Sequence, residues 1–418
     1  MKVAYHSPLP PEPSGIADYS ALLLPALRER IGVEIVRRPG GFRPWSRPAR
    51  TDIGLYHVGN SPEAHGWIVE ALRRRPGIVV LHEHVLHHLV AGMTIGRRNG
   101  PAYLDAMERD SGLAGRLLAH GVLEGKVPPL WESRPEDFPL VGEVLDLAAA
   151  GGGLIVHSRY LEEKARAAGY EGPVWRIPHP AWPAPEVAPA AVEGGPLIGC
   201  FGHLNVSKRV PQLLEAFALL RGRFPGARLL LVGPTAPRFE LQGRIDRLGL
   251  GDALVREEYV PEERLWSLMA AADIHVCLRA PTMGETSGSA LRALSLGKPL
   301  VVSDVGWFAE LPDEVAWRVP VDESEAQTLA VALATLAGNA EARATRGAAA
   351  LELARGEHAV DRVADLYAAA LEQAAGGRAV DDAVLADVAQ AAAAVGIGAT
   401  APEAGELAAR LREVGLGG

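Results

Sequence analysis

Two cysteines, Cys200 and Cys277, are all that the 418 residues contain. They lie far apart in apolar, strand-like runs, which leaves no disulfide framework and no cysteine-based metal spacing. No apolar run approaches the roughly 20 residues that a membrane-spanning helix needs. The opening Met1-Lys2-Val3-Ala4-Tyr5 enters a strand pattern at once, without the features of a signal peptide. Together these absences predict a cytoplasmic protein. An excess of positive charge is also missing: 42 Lys and Arg against 51 Asp and Glu give a net charge of −9, which argues against a nucleic-acid partner. The run Leu81-His82-Glu83-His84-Val85-Leu86-His87-His88 invites a zinc reading, but its order is not His-Glu-x-x-His. A neutral, hydrogen-bonding His82 is the better expectation, and no metal is predicted.

The composition that is present, 48% hydrophobic and 22% charged, is that of a globular chain, and its length predicts two domains. Short β-branched or apolar runs alternate with longer amphipathic ones. The pattern predicts strands at 3–5, 33–36, 53–57, 78–82, 154–157 and 174–177. Helices are expected over 19–30, 62–74 and 160–168. A proline- and alanine-rich stretch, 178–195, reads as a linker. The alternation then restarts with strands at 197–201, 227–232, 254–257, 274–278, 300–303 and 316–319. The helices between them would cover 210–224, 238–248, 262–271 and 289–296. This is the pattern of two α/β domains, each a doubly wound, Rossmann-like parallel sheet, facing one another across a cleft. The expected boundaries are 1–185, 186–355, and a set of C-terminal helices over 356–418.

In such sheets ligands bind beyond the carboxyl ends of the strands, so the loops there carry the chemistry. After the first strand, Ser14-Gly15-Ile16-Ala17-Asp18 opens a helix with a glycine that lets an anion approach backbone N–H groups, or simply turns the chain. His82 and His157 fall at strand ends. In the second half, Gly202-His203-Leu204-Asn205-Val206-Ser207-Lys208-Arg209 places two cations where a helix starts. That position opposes the helix dipole and suggests an anion nearby, although Arg209 reads equally as a solvated residue. A second glycine loop holds Gly233. Glu285-Thr286-Ser287-Gly288-Ser289 then supplies one carboxylate, hydroxyls and the free N–H groups of a helix start. Phosphate binding by the N–H groups and hydroxyl binding by Glu285 together describe a nucleotide-sugar site.

At these residues the sequence resembles family 4 of the glycosyltransferases, the group 1 retaining enzymes of GT-B fold. The resemblance covers about residues 1–375 and is most specific from Phe201-Gly202-His203 to Lys208, at Leu230-Leu231-Val232-Gly233, at Tyr259-Val260-Pro261 and from Glu285 to Val302. It implies that His82, Lys208 and Glu285 are catalytic. Gly15, His203, Lys208, Arg209 and residues 285–289 would hold the donor sugar and diphosphate. Gly233, Arg256, Tyr259 and Arg292 would surround the nucleotide. The implied donor is a UDP- or GDP-linked sugar and the implied acceptor a glycan, a lipid or a small metabolite. No cofactor is implied; the chain has no Asp-x-Asp motif, which agrees with a metal-independent reaction. In two places the chain departs from the pattern. His203 stands where the family has arginine, and Arg292 stands where its second, ribose-binding glutamate belongs.

Two other readings use the same architecture: a sugar-nucleotide-binding scaffold without turnover, and a nucleotide-sugar epimerase. The epimerase needs paired carboxylates, and in the sequence Glu285 has no evident partner. Residues 356–375 would cross back to the first domain, and the alanine-rich tail, 381–416, is expected to form two further helices. The segment 28–50, with seven arginines, Phe42 and Trp45, reads as a solvated loop or as a peripheral contact with an anionic membrane. Trp131 and Glu132 are placed on the acceptor side.

Overall fold

The computed structural model describes residues 1–38, 51–237, 239–398 and 401–413. Among the described residues twelve strands form two six-stranded sheets, all pairings parallel. The first contains β1 (Lys2–His6), β2 (Gly32–Val36), β3 (Ile53–Val58), β4 (Ile78–Leu81), β5 (Leu154–Val156) and β6 (Val174–Arg176), in the order β2-β1-β3-β4-β5-β6. The second contains β7 (Leu197–Phe201), β8 (Arg228–Val232), β9 (Leu254–Glu257), β10 (Ile274–Cys277), β11 (Leu300–Ser303) and β12 (Ala316–Val319), in the order β12-β11-β10-β7-β8-β9. Helices cover both faces, so central strands such as Ile78-Val79-Val80-Leu81 are apolar and buried throughout. Register follows the same residues: Val3 lies opposite Val33 and Ile53, and Ile198 opposite Leu229 and Ile274.

Between the sheets, 178–195 runs without regular secondary structure. The chain returns through the helix Val360–Ala394, which packs its buried Val363, Ala364, Tyr367, Ala370 and Leu371 into the core of the first domain, against Tyr19, Leu23 and Leu27. The phenolic oxygens of Tyr19 and Tyr367 hydrogen-bond at 2.7 Å inside that core. At the rim, Arg30 donates to Asp365 (2.5 Å) and Asp361 (3.2 Å). The expectation of two separate tail helices is corrected. The returning helix continues without interruption to Ala394, through Gly376 and Gly377, and among the described residues only Pro402–Glu413 forms another after it. Strong helix formers on either side carry the helix across the glycine pair.

Of the arginine-rich segment, 39–50 lies outside the described residues, including Phe42 and Trp45; Arg30 and Arg38 make internal bonds. Among the described residues no helix is long and apolar enough to cross a membrane. Tyr367→Phe removes one hydroxyl of a fully buried pair and leaves Tyr19 short of its partner. A loss of about 1–3 kcal/mol is expected in denaturant unfolding. A change within ~0.3 kcal/mol would show that this bond does not hold the returning helix.

Candidate functional site

Strand order locates the site before any side chain is considered. In the first sheet the order reverses between β1 and β3, and in the second between β7 and β10. The loops that leave neighbouring strands there diverge to opposite faces and open a crevice. The loop after β1 runs into the helix Gly15–Arg30. The loop after β7 carries Lys208, and the loop after β10 carries Arg279 and residues 282–289. The two crevices meet in one interdomain cleft with two adjoining cavities, of about 260 Å³ and about 350 Å³, that share Thr286, Gly288 and Arg292.

The larger cavity belongs to the second domain. Ser287 caps the helix Gly288–Ser295, its hydroxyl accepting from the Ala290 N–H at 3.3 Å, so the remaining first-turn N–H groups point into the cavity mouth. Lys208 Nζ donates to the Phe201 carbonyl at 2.5 Å, and burial together with the nearby Arg279 charge lowers its pKa. The turn requires glycine: a Cβ on Gly202, at φ +96°, would lie 2.7 Å from Lys208 Nζ. One on Gly233, at φ +136°, would lie 2.3 Å from the Gly202 carbonyl oxygen. Tyr259 stands at the cavity edge, 88% exposed, a flat apolar face with no packing partner beneath it. Glu285 accepts from the Met283 N–H at 2.8 Å and pairs with Arg279 at 3.1 Å.

The smaller cavity lies against the first domain, and its wall is built of neutral imidazoles. His82 sits at the end of β4 with its Nε2 3.0 Å from His57 Nδ1. His157 donates from Nδ1 to the Ile177 carbonyl (2.9 Å), His179 to Pro180 (2.8 Å) and His65 to His57 (3.0 Å), which fixes each tautomer. Burial lowers all their pKa values, to about 4 for His65 and His157 and further for His57, His82 and His179, where neighbouring imidazoles reinforce the effect. If His57 donates from Nδ1, His82 Nε2 accepts and its other ring nitrogen carries the proton. Tyr19 packs edge-on against both His82 and His179.

Gly15 lines the smaller cavity, and a Cβ there would meet nothing within 4 Å, so the helix start faces open space. His82, Glu285, Thr286 and Arg292 line it too, while Lys208, Gly233, Tyr259, Ser287, Gly288 and Ser289 line the larger one. Three expected donor contacts are corrected. Arg209 forms a bidentate pair with the buried Glu325 of the helix Glu325–Gly338. The anion its position called for is therefore a side chain of the protein itself. His203 is exposed and lines neither cavity. Arg256 turns outward to Gln242 at 3.0 Å, because alternate residues of the edge strand β9 face opposite ways. Trp131 packs on Tyr103 and His87 in a satellite core, and neither it nor Glu132 lines either cavity. His84 lies in a loop, since the helix begins at His87.

Several cavity residues carry no sequence signal. His179 and Trp182 come from the stretch read as a linker, and Trp182 stacks on the Arg292 guanidinium, 3.9 Å from ring centroid to Cζ. Arg279 precedes Glu285 in the same loop and was identifiable only as a cation after β10. Glu83 is the carboxylate neighbour that Glu285 lacked in the sequence. It lines the same cavity, accepts from the Asn60 N–H at 3.2 Å, and is pushed up to about 7 by burial and then by the Glu285 charge. Among the described residues no cluster of three or more His, Cys, Asp or Glu has metal-binding geometry.

Residues 186–352 match the family described as Glycosyl transferases group 1. Over 141 residues the chain is 28% identical to a 2-deoxystreptamine glucosyltransferase of Streptomyces kanamyceticus, covering 31% of this chain; the match spans only 36% of that protein. Among solved structures, HepE of Anabaena in complex with UDP and glucose aligns with a TM-score of 0.59 at 17% identity, over 89% of this chain and all of that one. Sucrose-phosphate synthase from Thermosynechococcus elongatus aligns with a TM-score of 0.56 at 18% identity, over 89% and 98%. At these identities the two structural likenesses concern the fold.

The imidazole wall makes stability depend on pH. Each of these histidines has a folded pKa below the unfolded value of about 6.5, so the unfolded chain takes up protons first as pH falls. Their contribution is whole above about pH 6.5 and is lost progressively toward about pH 4. Glu83 runs the opposite way: raised from 4.5 to about 7, it favours the folded state below 4.5 and loses that contribution as pH rises through 7. The histidines outnumber it, so Tm should fall between pH 6.5 and 5, and His57→Gln should flatten the slope. A Tm independent of pH there would contradict the neutral wall. Arg209→Ala, which strands the buried Glu325, should cost about 3 kcal/mol while leaving nucleotide binding unchanged. A variant that folds stably but loses nucleotide would return Arg209 to the donor site.

Proposed function

We propose that this chain, a glycosyltransferase of the group 1 family with the GT-B fold, moves a sugar from a nucleotide-sugar donor to an acceptor hydroxyl with retention at the anomeric carbon. The observation that carries the reading is the convergence of Lys208, Arg279 and the N-terminus of the helix Gly288–Ser295 on one cavity, opposite His82 and Gly15 in the adjoining one. A diphosphate seated there would meet two cations and several N–H donors. Glu285, oriented by the Met283 N–H, would accept from sugar hydroxyls. Tyr259 would offer its ring to the base.

In the proposed front-face displacement, the bond from the anomeric carbon to the donor phosphate oxygen breaks while the acceptor oxygen bonds to the same face. The acceptor proton passes to the departing phosphate oxygen. Negative charge would grow on the diphosphate, where Lys208 and the helix N–H groups would offset it. Neutral His82 would hydrogen-bond the transferring sugar without adding a charge to it. The proposal assigns no step to a metal. Support for a UDP-linked donor comes from HepE, whose structure contains UDP and glucose, with GDP the alternative. The Streptomyces relative, a 2-deoxystreptamine glucosyltransferase by name, supports a small-metabolite acceptor over a glycan or a lipid.

Glu83 beside Glu285 favours a second reading, the nucleotide-sugar epimerase. It would convert donor to its isomer with no acceptor present, whereas the transferase needs one. In a thermal-shift panel of UDP-, GDP-, ADP- and dTDP-sugars, one nucleotide should stabilise the chain. Lys208→Ala should abolish the shift and lower turnover by roughly 10²–10³-fold. Stabilisation by one of them with no turnover on any acceptor would favour the scaffold, and stabilisation by none would overturn the transferase reading.

A further inference from the structure

The charge of the smaller cavity does not close. Three carboxylates line it, Asp18, Glu83 and Glu285, and the lining contributes one permanent cation, Arg292. Its histidines are neutral at physiological pH and offset nothing. Glu285 is paired with Arg279 at 3.1 Å. Asp18 and Arg292 lie within electrostatic reach of one another across the cleft. Glu83 lies in the field of the same Arg279 but makes no ion pair with it, so one guanidinium serves two carboxylates. Among the described residues its one hydrogen bond is from the Asn60 N–H at 3.2 Å. A half-buried carboxylate that must share a cation already paired elsewhere is costly, and a ligand that brings a further positive charge removes that cost. A hydroxyl would donate one hydrogen bond and leave the charge standing.

The position is held firmly. The backbone next to Glu83 crosses the interdomain boundary, His84 N–H donating to the Met283 carbonyl at 2.7 Å, which ties the loop after β4 to the loop that carries Glu285. Both carboxylates therefore stand on loops that this bond joins into one wall.

We propose that the acceptor of this enzyme carries a protonated amine, as an amino sugar or an aminocyclitol does, and that Glu83 receives the ammonium with Glu285 and Asp18 around it. The inference rests on the transferase reading of the cleft, and deepens it by naming the acceptor class. Besides Glu285 and Arg279 from the second domain, the groups that face Glu83 are His82 beside it and His65 of the helix Pro62–Arg74, both neutral.

D-Glucosamine and D-glucose differ at this one substituent and serve as probes. Titrated against the full chain by saturation-transfer NMR, with UDP present, glucosamine should bind at least about tenfold more tightly than glucose near pH 7, a difference a single charge pair readily supplies. Glu83→Gln should bring the two affinities together. In the unaltered chain the preference should shrink on acidification to about pH 5.5, even though the amine is then more fully charged, because Glu83 takes up a proton. Equal affinities, no binding of either sugar, or a preference that survives Glu83→Gln would overturn the proposal. Stabilisation by a nucleotide sugar without an ammonium preference would remove this inference and leave the transferase intact. An ammonium preference without any nucleotide-sugar stabilisation would do the reverse.

Discussion

The cleft depends on parallel strand pairing at two places, β1 with β3 and β7 with β10. Parallel neighbours at a reversal of strand order send their following loops apart, and the gap between those loops opens the crevice. Lys208, Arg279, Glu285 and the helix start at Gly15 hang on those loops, His82, Glu83, His157 and His179 follow the neighbouring β4, β5 and β6, and the apolar strands serve to aim them all. Ile198 opposite Ile274 and Leu229 is a packing statement, yet it also fixes where Lys208 and Glu285 can be.

The two halves of the cleft solve opposite electrostatic problems. The second-domain half gathers positive potential, from Lys208, Arg279 and a helix N-terminus, in a wide cavity whose residues are only partly withdrawn from water. The first-domain half gathers dipoles: imidazoles locked by carbonyl acceptors, buried deeply enough that protonation is strongly disfavoured. A neutral ring can orient a hydroxyl without repelling the arginine and lysine across from it. Charge on the wall would compete with the cations for the same ligand.

Most of the architecture was legible in the sequence because strand and helix periods are local properties. Every predicted strand appears, with ends unchanged or shifted by one residue, and the loops singled out after β1, β4, β7 and β10 are those that meet in the cleft. The residues that went astray did so for reasons of geometry. Arg209 and Lys208 are adjacent, but neighbouring side chains leave a turn in different directions, and only Glu325, more than a hundred residues on, decides where Arg209 goes. His203 and Arg256 are likewise set by the turn and by the strand's alternation. Glu83, His179 and Trp182 were invisible as site residues because their role comes from the approach of two domains, which leaves no mark on a local pattern.

The stretch 178–195 and the turn before the returning helix are the two places where the chain passes between domains, and they are fastened to each other. Ala181 N–H donates to the His358 carbonyl at 2.8 Å, and His358 Nδ1 donates back to the His179 carbonyl at 2.7 Å. A pair of crossings joined in this way behaves as the leaf of a hinge rather than as two loose tethers. His179 forms part of that leaf and part of the cavity wall at once, so the joint between the domains and the floor of the cavity are one piece of structure.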